Sequence, residues 1–348
     1  MKYKTLNNTD IKLSTYCLGT MTWGQQNTEK EGHEQMDIAL DAGVNFFDTA
    51  ELYAVPPMAE TYGKTEEIIG TWFKERKNRD KVFLASKIVG AARPMKWIRE
   101  GQAILDKKNI IAALEQSLKR LKTDYIDLYQ LHWPNRQHYH FGNHYVSHNN
   151  TDVKKEEELM LEVLETLDEQ IKVGKIRHIG LSNETSWGTL KYLELSKKHN
   201  LPKMLTIQNE YSLLCRHFDK DLHEVSLFEN IGLLAWSPLV AGAITGKYLG
   251  DVIPKGTRRS IFNRSTYRQS ENSDSAIKEY IELAKDWDLD VCHMAIAFTL
   301  SRPFTTASIV GATSTEQLKH NLKAVDVELD QEILKEINKI HRKYPRPF

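Results

Sequence analysis

The sequence contains little cysteine and no long apolar run. Its 348 residues include only Cys17, Cys215 and Cys292, with no C-x-x-C pair, which argues against a disulfide framework or a cysteine-based zinc site. No stretch approaches the roughly 20 apolar residues of a membrane span, and the first residues contain no apolar segment of signal-peptide length. The sequence therefore predicts a cytoplasmic protein with reduced thiols.

An excess of charge of either sign is also missing. The 47 basic residues balance the 47 acidic ones, and no Lys/Arg block is long enough to follow a phosphate backbone. We therefore expect neither nucleic acid nor a membrane surface as a partner. No G-x-G-x-x-G segment follows a predicted strand, which excludes a dinucleotide site of the Rossmann type. With 41% apolar and 27% charged residues, the composition is that of a globular protein.

Short β-rich runs alternate with amphipathic segments along the chain. In one such segment Ile110, Leu114, Leu118 and Leu121 fall on one helical face. Eight strand-helix units without a Pro/Gly/Ser-rich linker predict an α/β fold, a (β/α)8 TIM barrel, in one domain over residues 1–348. The predicted strands are Tyr16–Gly19, Asn45–Asp48, Val82–Lys87, Ile126–His132, Ile176–Ser182, Leu205–Asn209, Gly232–Ser237 and Ala307–Val310.

The chain is longer than a bare barrel, which needs roughly 250 residues, so about 100 residues should form additions to it. Residues 5–13 predict a hairpin ahead of the first barrel strand. Long loops are expected after the fourth strand, from Trp133 to about Glu156, and after the seventh, from Val240 to about Ser273. The segment from residue 328 to 348 predicts a C-terminal helix and tail.

Four polar residues suited to carbonyl reduction stand at or just beyond the ends of three predicted strands. Asp48 ends the second strand and Tyr53 follows it, while Lys87 ends the third strand and His132 ends the fourth. The carboxyl ends of parallel barrel strands open into one mouth, so we expect the four side chains to converge. Each residue taken singly also has a structural explanation, from a turn cap to a core histidine. It is their conjunction that favours a catalytic site.

These residue types suit the transfer of hydride to a carbonyl, which needs a proton at the oxygen. Tyr53 could supply that proton. We expect the Lys87 ammonium to lower the pKa of Tyr53 from about 10 toward neutrality, and Asp48 to keep that buried lysine charged. His132 would polarise the carbonyl oxygen. A lyase forming a Schiff base on Lys87 is an alternative, against which the placement of Asp48 and Tyr53 speaks.

The motifs around these residues resemble those of the aldo/keto reductases. The matching segments are Phe47–Tyr53, Ala85–Lys87, Leu131–Trp133, Ile179–Asn183 and Trp236–Leu239. The resemblance runs from about residue 2 to 341 and is strongest to the Tas-like branch of bacterial NADP(H)-dependent members. It implies an oxidoreductase that reduces an aldehyde or ketone with NADPH, with Asp48, Tyr53, Lys87 and His132 as catalytic residues. The alternative it leaves open is an NADP(H)-sensing regulatory subunit with low turnover, like the channel-associated members of the family.

The resemblance also implies which residues hold the nicotinamide and the pyrophosphate. Asn183 and Gln208 would bond the carboxamide, and Tyr211 would stack under the nicotinamide ring. An ordinary helix cap is the alternative for Ser182 and Asn183. The implied contacts are Thr20, Met21, Ser182, Asn183, Gln208, Tyr211, Trp236, Ser237, Pro238, Leu239, Ala241 and Lys247.

At the adenosine end, the resemblance implies that Arg258 and the helix N-terminus near Thr313 bind a 2'-phosphate. A capping box between Ser314 and Gln317 is the alternative. Where the family often has an acidic residue before the adenine-binding asparagine, this sequence has His320, which does not accept from the adenine amino group as a carboxylate does. Further implied contacts at this end are Gly311, Thr313, Gln317 and Asn321.

The loop predicted after the fourth strand is rich in histidine and aromatic residues. Imidazole suits zinc and nickel, but no cysteine or paired carboxylate accompanies the histidines, so we expect a polar lid over the substrate and no metal. The histidines are His138, His140, His144 and His148. The aromatic residues expected on the inner face of the lid are Tyr139, Phe141 and Tyr145.

Overall fold

Eight parallel strands close into a barrel in the computed structural model, which describes residues 1–7, 9–143, 145–261 and 268–348. The strands follow one another around the barrel in chain order, and the last pairs with the first. The predicted (β/α)8 TIM barrel is therefore confirmed. The strands are β1 (Tyr16–Gly19), β2 (Phe46–Asp48), β3 (Phe83–Ile88), β4 (Ile126–Leu131), β5 (Ile176–Ser182), β6 (Met204–Glu210), β7 (Gly232–Trp236) and β8 (Thr305–Val310).

The strand register brings the candidate residues to one end of the barrel. Asp48 pairs with Ala85 across β2 and β3, and Lys87 pairs with Gln130 across β3 and β4. Because helices cover the outside and side chains fill the inside, such strands are buried on both faces and read as continuous apolar runs. This is why the sequence predicts them so closely. The lower interior is filled by Cys17, Phe46, Ala85, Leu128, Leu234 and Ala307.

Helices surround the barrel, and several of them begin at side-chain caps. Thr28 and Glu31 form a capping box at the first helix, and Asp106 accepts from the Asn109 amide at the third. The apolar positions predicted to share one face of the third helix are all buried. The helices are α1 (Glu29–Asp41), α2 (Lys64–Arg76), α3 (Lys107–Leu121), α4 (Val153–Lys172), α5 (Ser186–His199), α6 (Leu222–Phe228), α7 (Arg258–Ile261), α8 (Glu271–Asp286), α9 (Val291–Leu300), α10 (Thr315–Leu322) and α11 (Gln331–Lys343).

The predicted additions are also present. Strands Tyr3–Thr5 and Lys12–Ser14 pair antiparallel, and the segment between them contributes Leu6 to the lower core, which closes that end of the barrel. The C-terminal α11 buries Ile333, Ile337 and Ile340. Long loops follow β4 and β7. Within the residues that the structure describes, no helix is long and apolar enough to span a membrane.

Candidate active site

The Lys87 ammonium connects three of the four candidate catalytic residues. Its Nζ donates to Asp48 Oδ2 at 2.7 Å, to the Thr49 carbonyl oxygen at 2.8 Å and to the Tyr53 hydroxyl oxygen at 3.3 Å. An ammonium has three hydrogens, so these three acceptors use all of them. Since the Tyr53 oxygen accepts from Lys87, its own hydrogen is left to point elsewhere.

His132 joins this group from the end of β4. Its ring lies edge-on to the Tyr53 ring, with 5.9 Å between the centroids, and packs against Trp133 at 4.5 Å. The His132 Nδ1 is buried and has no hydrogen-bond partner among the described residues. The four side chains predicted to converge therefore do so.

Burial and charge set the protonation of this group. Burial raises the pKa of Tyr53 and outweighs the lowering effect of Lys87, and the Asp48 charge adds to the rise. The expected fall of the Tyr53 pKa toward neutrality is therefore not found, because the loss of solvent around the phenol outweighs one ammonium. Burial lowers the pKa of Lys87, but Asp48 and Tyr53 raise it above its ordinary value. Burial, then Lys87 and Arg93, hold the pKa of His132 well below 6.5.

A buried amide network holds the second oxygen of Asp48, and part of it was missed by sequence reasoning. Asp48 Oδ1 accepts from Gln208 Nε2 at 2.8 Å and from Gln130 Nε2 at 3.2 Å. Gln208 Nε2 also donates to Gln130 Oε1 at 3.2 Å. Both hydrogens of the Gln208 amide are thus used inside the protein, so only its oxygen could serve a carboxamide. The signal for Gln130 is a glutamine within a mostly apolar strand, two positions before His132.

A second buried group, also missed from sequence, fixes the segment that carries Tyr53. The Glu51 carboxylate is fully buried and accepts from Arg99 at 2.8 and 3.0 Å and from the Tyr62 hydroxyl at 2.7 Å. It also accepts from the Val89 amide at 2.9 Å. These bonds tie the segment between Asp48 and Tyr53 to the loop after β3.

The residues predicted around the nicotinamide border the same mouth. Asn183 Nδ2 donates to the His132 carbonyl oxygen at 2.8 Å and to Ser182 Oγ at 3.1 Å, while Ser182 Oγ donates to the Gln208 carbonyl oxygen at 2.9 Å. Asn183 Oδ1 and Trp236 Nε1 are buried without a hydrogen-bond partner among the described residues. An acceptor and a donor at this end match the needs of a carboxamide. Thr20 supports the mouth by donating to the Asp48 carbonyl oxygen at 2.8 Å.

Tyr211 lies elsewhere. Its ring is fully buried, stacked on Phe298 with 5.7 Å between centroids and edge-on to Phe304 at 5.5 Å. Its hydroxyl donates to Asp219 at 2.7 Å and accepts from Arg302 at 3.1 Å. The chain turns inward after β6, so this ring packs in the core and leaves no face for a cofactor. The expectation that Tyr211 stacks under the nicotinamide is not supported by this placement.

The loop after β7 borders the mouth with strained backbone. Ser237 and Ala241 both have a φ of 56°, in the left-handed region. Lys247 is half-buried beside Tyr248, its Nζ 5.3 Å from that ring's centroid, and Arg258 opens the short α7. Residues predicted for the cofactor that lie half-buried along these loops also include Met21 and Leu239, whereas Pro238 is buried.

The predicted adenosine end lies where α10 begins. Gln317 Oε1 accepts from the Thr313 amide at 3.1 Å and from the Thr313 hydroxyl at 3.0 Å. Ser314 Oγ caps the helix by accepting from the Gln317 amide at 3.2 Å. The Gln317 side chain reaches back to Thr313 instead of the Ser314 amide, so the capping-box alternative is not what forms. Gly311 is exposed at the end of β8 and Asn321 is buried near the end of α10.

The loop from residue 134 to 152 covers part of the mouth. Phe141 stacks on Trp236 with 5.7 Å between centroids, and the Arg93 guanidinium lies 4.0 Å from the Phe141 centroid. Phe141 therefore takes the inner position predicted for it. Tyr139 is half-buried against His140, whereas Tyr145 is 84% exposed and does not line an inner face.

Two histidines of this loop, His138 and His140, are buried. Burial, with the positive charges of Arg93 and Arg136, lowers the pKa of His138 to about 4. Burial and His138 lower the pKa of His140 to about 3. His148 is exposed, and His144 lies outside the described residues. Arg136 anchors the loop through ion pairs with Glu184 and Glu156.

The sequence is similar to known proteins over its whole length. The model of the Aldo/keto reductase family matches residues 15–342. The chain belongs to the aldo/keto reductase family. This aldo/keto reductase is 44% identical over 348 residues to Protein tas of Escherichia coli, covering 100% of this chain and 99% of that protein. The resemblance to Tas-like members is thereby confirmed, and an oxidoreductase is supported.

Two further relatives are similar to almost the whole chain. Uncharacterized oxidoreductase YrpG of Bacillus subtilis is 33% identical over 351 residues, covering 100% of this chain and 97% of that protein. A Schizosaccharomyces pombe protein, whose name proposes it as a voltage-gated potassium channel subunit beta, is 29% identical over 349 residues. That match covers 97% of this reductase and 92% of the yeast protein.

Proposed function

We propose that this aldo/keto reductase reduces an aldehyde or ketone to the alcohol with NADPH, and that Tyr53 donates the proton. The observation that carries the proposal is the contact between the Lys87 ammonium and the Tyr53 oxygen, at 3.3 Å. The ammonium holds the phenol by its oxygen, so the phenolic hydrogen is available to a carbonyl oxygen in the mouth. It also stabilises the tyrosinate that remains after proton transfer.

The residues of the mouth have separate roles at the substrate carbonyl. NADPH, when bound, supplies hydride to the carbonyl carbon. Negative charge then develops on the carbonyl oxygen, which takes the Tyr53 proton. His132, whose pKa lies well below 6.5, is neutral at pH 7 and serves as a hydrogen-bond donor that orients the oxygen. Asp48, held by Gln130 and Gln208, keeps Lys87 charged.

The residues at the mouth fit a nicotinamide. We assign Asn183 Oδ1 and the Gln208 oxygen to the amide hydrogens of the carboxamide, because the nitrogens of both side chains already donate within the protein. Trp236, which borders the mouth at the end of β7, is assigned to the nicotinamide ring in place of Tyr211. Lys247 is assigned to the pyrophosphate and Arg258 to the 2'-phosphate.

A Schiff-base reaction at Lys87 is the weaker candidate. An amine attacks a carbonyl only when it is unprotonated and accessible. The Lys87 side chain is fully buried, all three of its hydrogens are bonded, and its pKa is raised by Asp48 and Tyr53 against the effect of burial. These features favour a permanent cation over a nucleophile.

The regulatory alternative is favoured by one observation, the similarity to the yeast protein whose name proposes a channel subunit. A sensor would bind NADPH and turn over slowly. Steady-state NADPH oxidation with a panel of aldehydes and ketones separates the two. Turnover on at least one carbonyl at an ordinary enzyme rate, on the order of 1 per second or faster, supports the reductase. Tight NADPH binding without turnover on any member of the panel supports the sensor.

The cofactor assignment is tested through Arg258. Arg258→Ala should weaken NADPH binding by about tenfold or more while NADH binding changes little, because only NADPH carries the 2'-phosphate that a guanidinium binds with charge-assisted bonds. Dissociation constants for both cofactors measure this. Lys255→Ala, the loss of an exposed positive charge from the same loop, is the matched control and should spare both. Equal losses for the two cofactors in Arg258→Ala would contradict the assignment.

A further inference from the structure

Three metal-ligating side chains meet at the surface where α9 and α10 adjoin, away from the catalytic residues. Asp290 caps the start of α9 and His293 stands in its first turn. His320 stands in the last turn of α10. One ligand atom from each residue lies within 4.8 Å of the other two. Asp290 and His293 are three positions apart, but His320 lies 27 positions beyond His293, so no short motif contains the whole group.

Contacts within the group orient both imidazoles. The His320 Nε2 lies 3.2 Å from Asp290 Oδ1, and the two rings stack with 4.4 Å between their centroids. The His293 Nε2 lies 2.8 Å from the His320 carbonyl oxygen. A carbonyl only accepts, so the His293 Nε2 carries the hydrogen and its Nδ1 keeps the lone pair. Metal-binding histidines are commonly oriented in this way, through a bond from the other ring nitrogen to a carbonyl or carboxylate.

Helix capping explains only part of this arrangement. Asp290 Oδ1 accepts from the Cys292 amide at 2.8 Å and the His293 amide at 3.0 Å, which satisfies the first turn of α9. Burial raises the pKa of Asp290, but the bonds from the His293 amide and the His320 ring lower it below its ordinary value. The carboxylate is therefore ionised at neutral pH. Capping requires neither histidine.

We propose that Asp290, His293 and His320 form a binding site for a divalent transition-metal ion. Two imidazoles and one carboxylate suit zinc, cobalt or nickel, whereas magnesium and calcium prefer oxygen ligands alone. The side chains of Asp290 and His320 are 38% and 46% exposed, so water can complete the coordination. With three protein ligands at an accessible surface, the site is an open one. It does not depend on the proposed reductase activity.

Metal binding to the full-length protein tests the proposal. The chain is stripped with a chelator and titrated with Zn²⁺ by calorimetry, and Co²⁺ binding is followed by its visible absorption. We expect one equivalent of Zn²⁺ to bind. Loss of a second-shell partner alone weakens a metal site by ~10–100-fold, so His293→Ala and His320→Ala should each weaken Zn²⁺ binding at least about tenfold.

Two further variants separate a ligand role from a structural one. Asp290→Asn keeps a good helix cap but removes the charge, so it should weaken Zn²⁺ binding while circular dichroism and melting stay as in the parent. His199→Ala removes an exposed histidine at the end of α5 and should leave Zn²⁺ binding unchanged. Absence of Zn²⁺ binding in the parent, or parent-like binding in both His293→Ala and His320→Ala, would overturn the proposal. Loss of Zn²⁺ binding in His148→Ala, with binding kept in the variants of the proposed ligands, would place the metal in the loop from residue 134 to 152 and would also overturn the proposal.

Discussion

Burial separates the roles that Tyr53 and His132 can play. It raises the pKa of Tyr53 and holds the pKa of His132 well below 6.5, so at neutral pH the phenol is protonated and the imidazole is neutral. An alkoxide is a strong enough base to take the phenolic proton, and Lys87 stands ready to stabilise the tyrosinate. An imidazolium would be the better acid, but burial among Lys87 and Arg93 prevents it from forming. These protonation states support the proposal that Tyr53 donates the proton.

Tyr53→Phe removes the proposed proton donor and keeps the side chains assigned to the cofactor. We expect turnover with a reducible aldehyde to fall by roughly 10² or more, because general acid catalysis commonly contributes that much. The NADPH dissociation constant should change little. Tyr145→Phe makes the same chemical change at a residue that is 84% exposed, and this control should keep parent turnover. A Tyr53→Phe variant that also keeps it would show that another group donates the proton.

Lys87→Met tests the coupling between the ammonium and the phenol. Lys87 lowers the pKa of Tyr53 against the larger effect of burial, so its removal should raise that pKa further. In the proposed mechanism, alcohol oxidation with NADP⁺ needs the tyrosinate, which forms only as the pH approaches the Tyr53 pKa. The rising limb of the oxidation rate should therefore move to higher pH in the variant. Lys81→Met, at an exposed lysine, should leave the limb in place, and an unmoved limb in Lys87→Met would rule out the coupling.

At the scale of elements, the docking of the loop from residue 134 to 152 buries two histidines, so its stability should depend on pH. Its two buried histidines have a pKa of about 4 at His138 and about 3 at His140, whereas a solvated histidine titrates near ~6.5. The displaced loop therefore binds protons before the docked loop does. Docking is fully stable above about pH 6.5 and weakens as the pH falls toward the docked values.

Hydrogen exchange read by mass spectrometry measures this effect. After correction for intrinsic rates, amides of residues 137–143 should exchange faster near pH 5 than near pH 7, while the strands of the barrel stay protected. His140→Asn removes one titrating ring and should reduce the pH dependence. His148→Asn changes an exposed ring of the same loop and should not. Equal protection of the loop at both pH values would refute the coupling of docking to these histidines.

At the scale of the whole molecule, the sequence predicts the barrel well because each strand is buried on both faces. A mostly apolar run such as Ile126–Leu131 is visible without knowledge of its partners. The polar residues that end such runs share one mouth by the geometry of parallel strands. This is enough to bring Asp48, Lys87 and His132 together. What sequence cannot give is the direction of a side chain beyond a strand, where the next turn decides it.

Tyr211 and the metal-ligating group illustrate the two ways in which sequence fell short. Tyr211 follows β6 directly, but the turn after it points the ring into the core against Phe298. Asp290 and His293 belong to the start of α9 and His320 to the end of α10, so only the packing of α9 beside α10 brings the three within reach. The contact of Gln130 with Asp48 likewise depends on tertiary packing, because the two residues lie two strands apart around the barrel.

The proposed NADPH contacts lie at the carboxyl ends of five different strands or in the loops that follow them, so binding should stabilise the whole barrel. A ligand that binds only the folded state adds about 2.7 kcal/mol at a concentration 100 times its dissociation constant. We expect NADPH at that level to raise the melting temperature by several degrees, measured by differential scanning fluorimetry or circular dichroism. NADH at the same concentration should raise it less, because it lacks the 2'-phosphate assigned to Arg258. In Arg258→Ala the advantage of NADPH over NADH should largely disappear, whereas Lys255→Ala should retain it. An unchanged melting temperature with NADPH, or equal shifts with both cofactors in the parent, would contradict the cofactor assignment whatever the carbonyl substrate is.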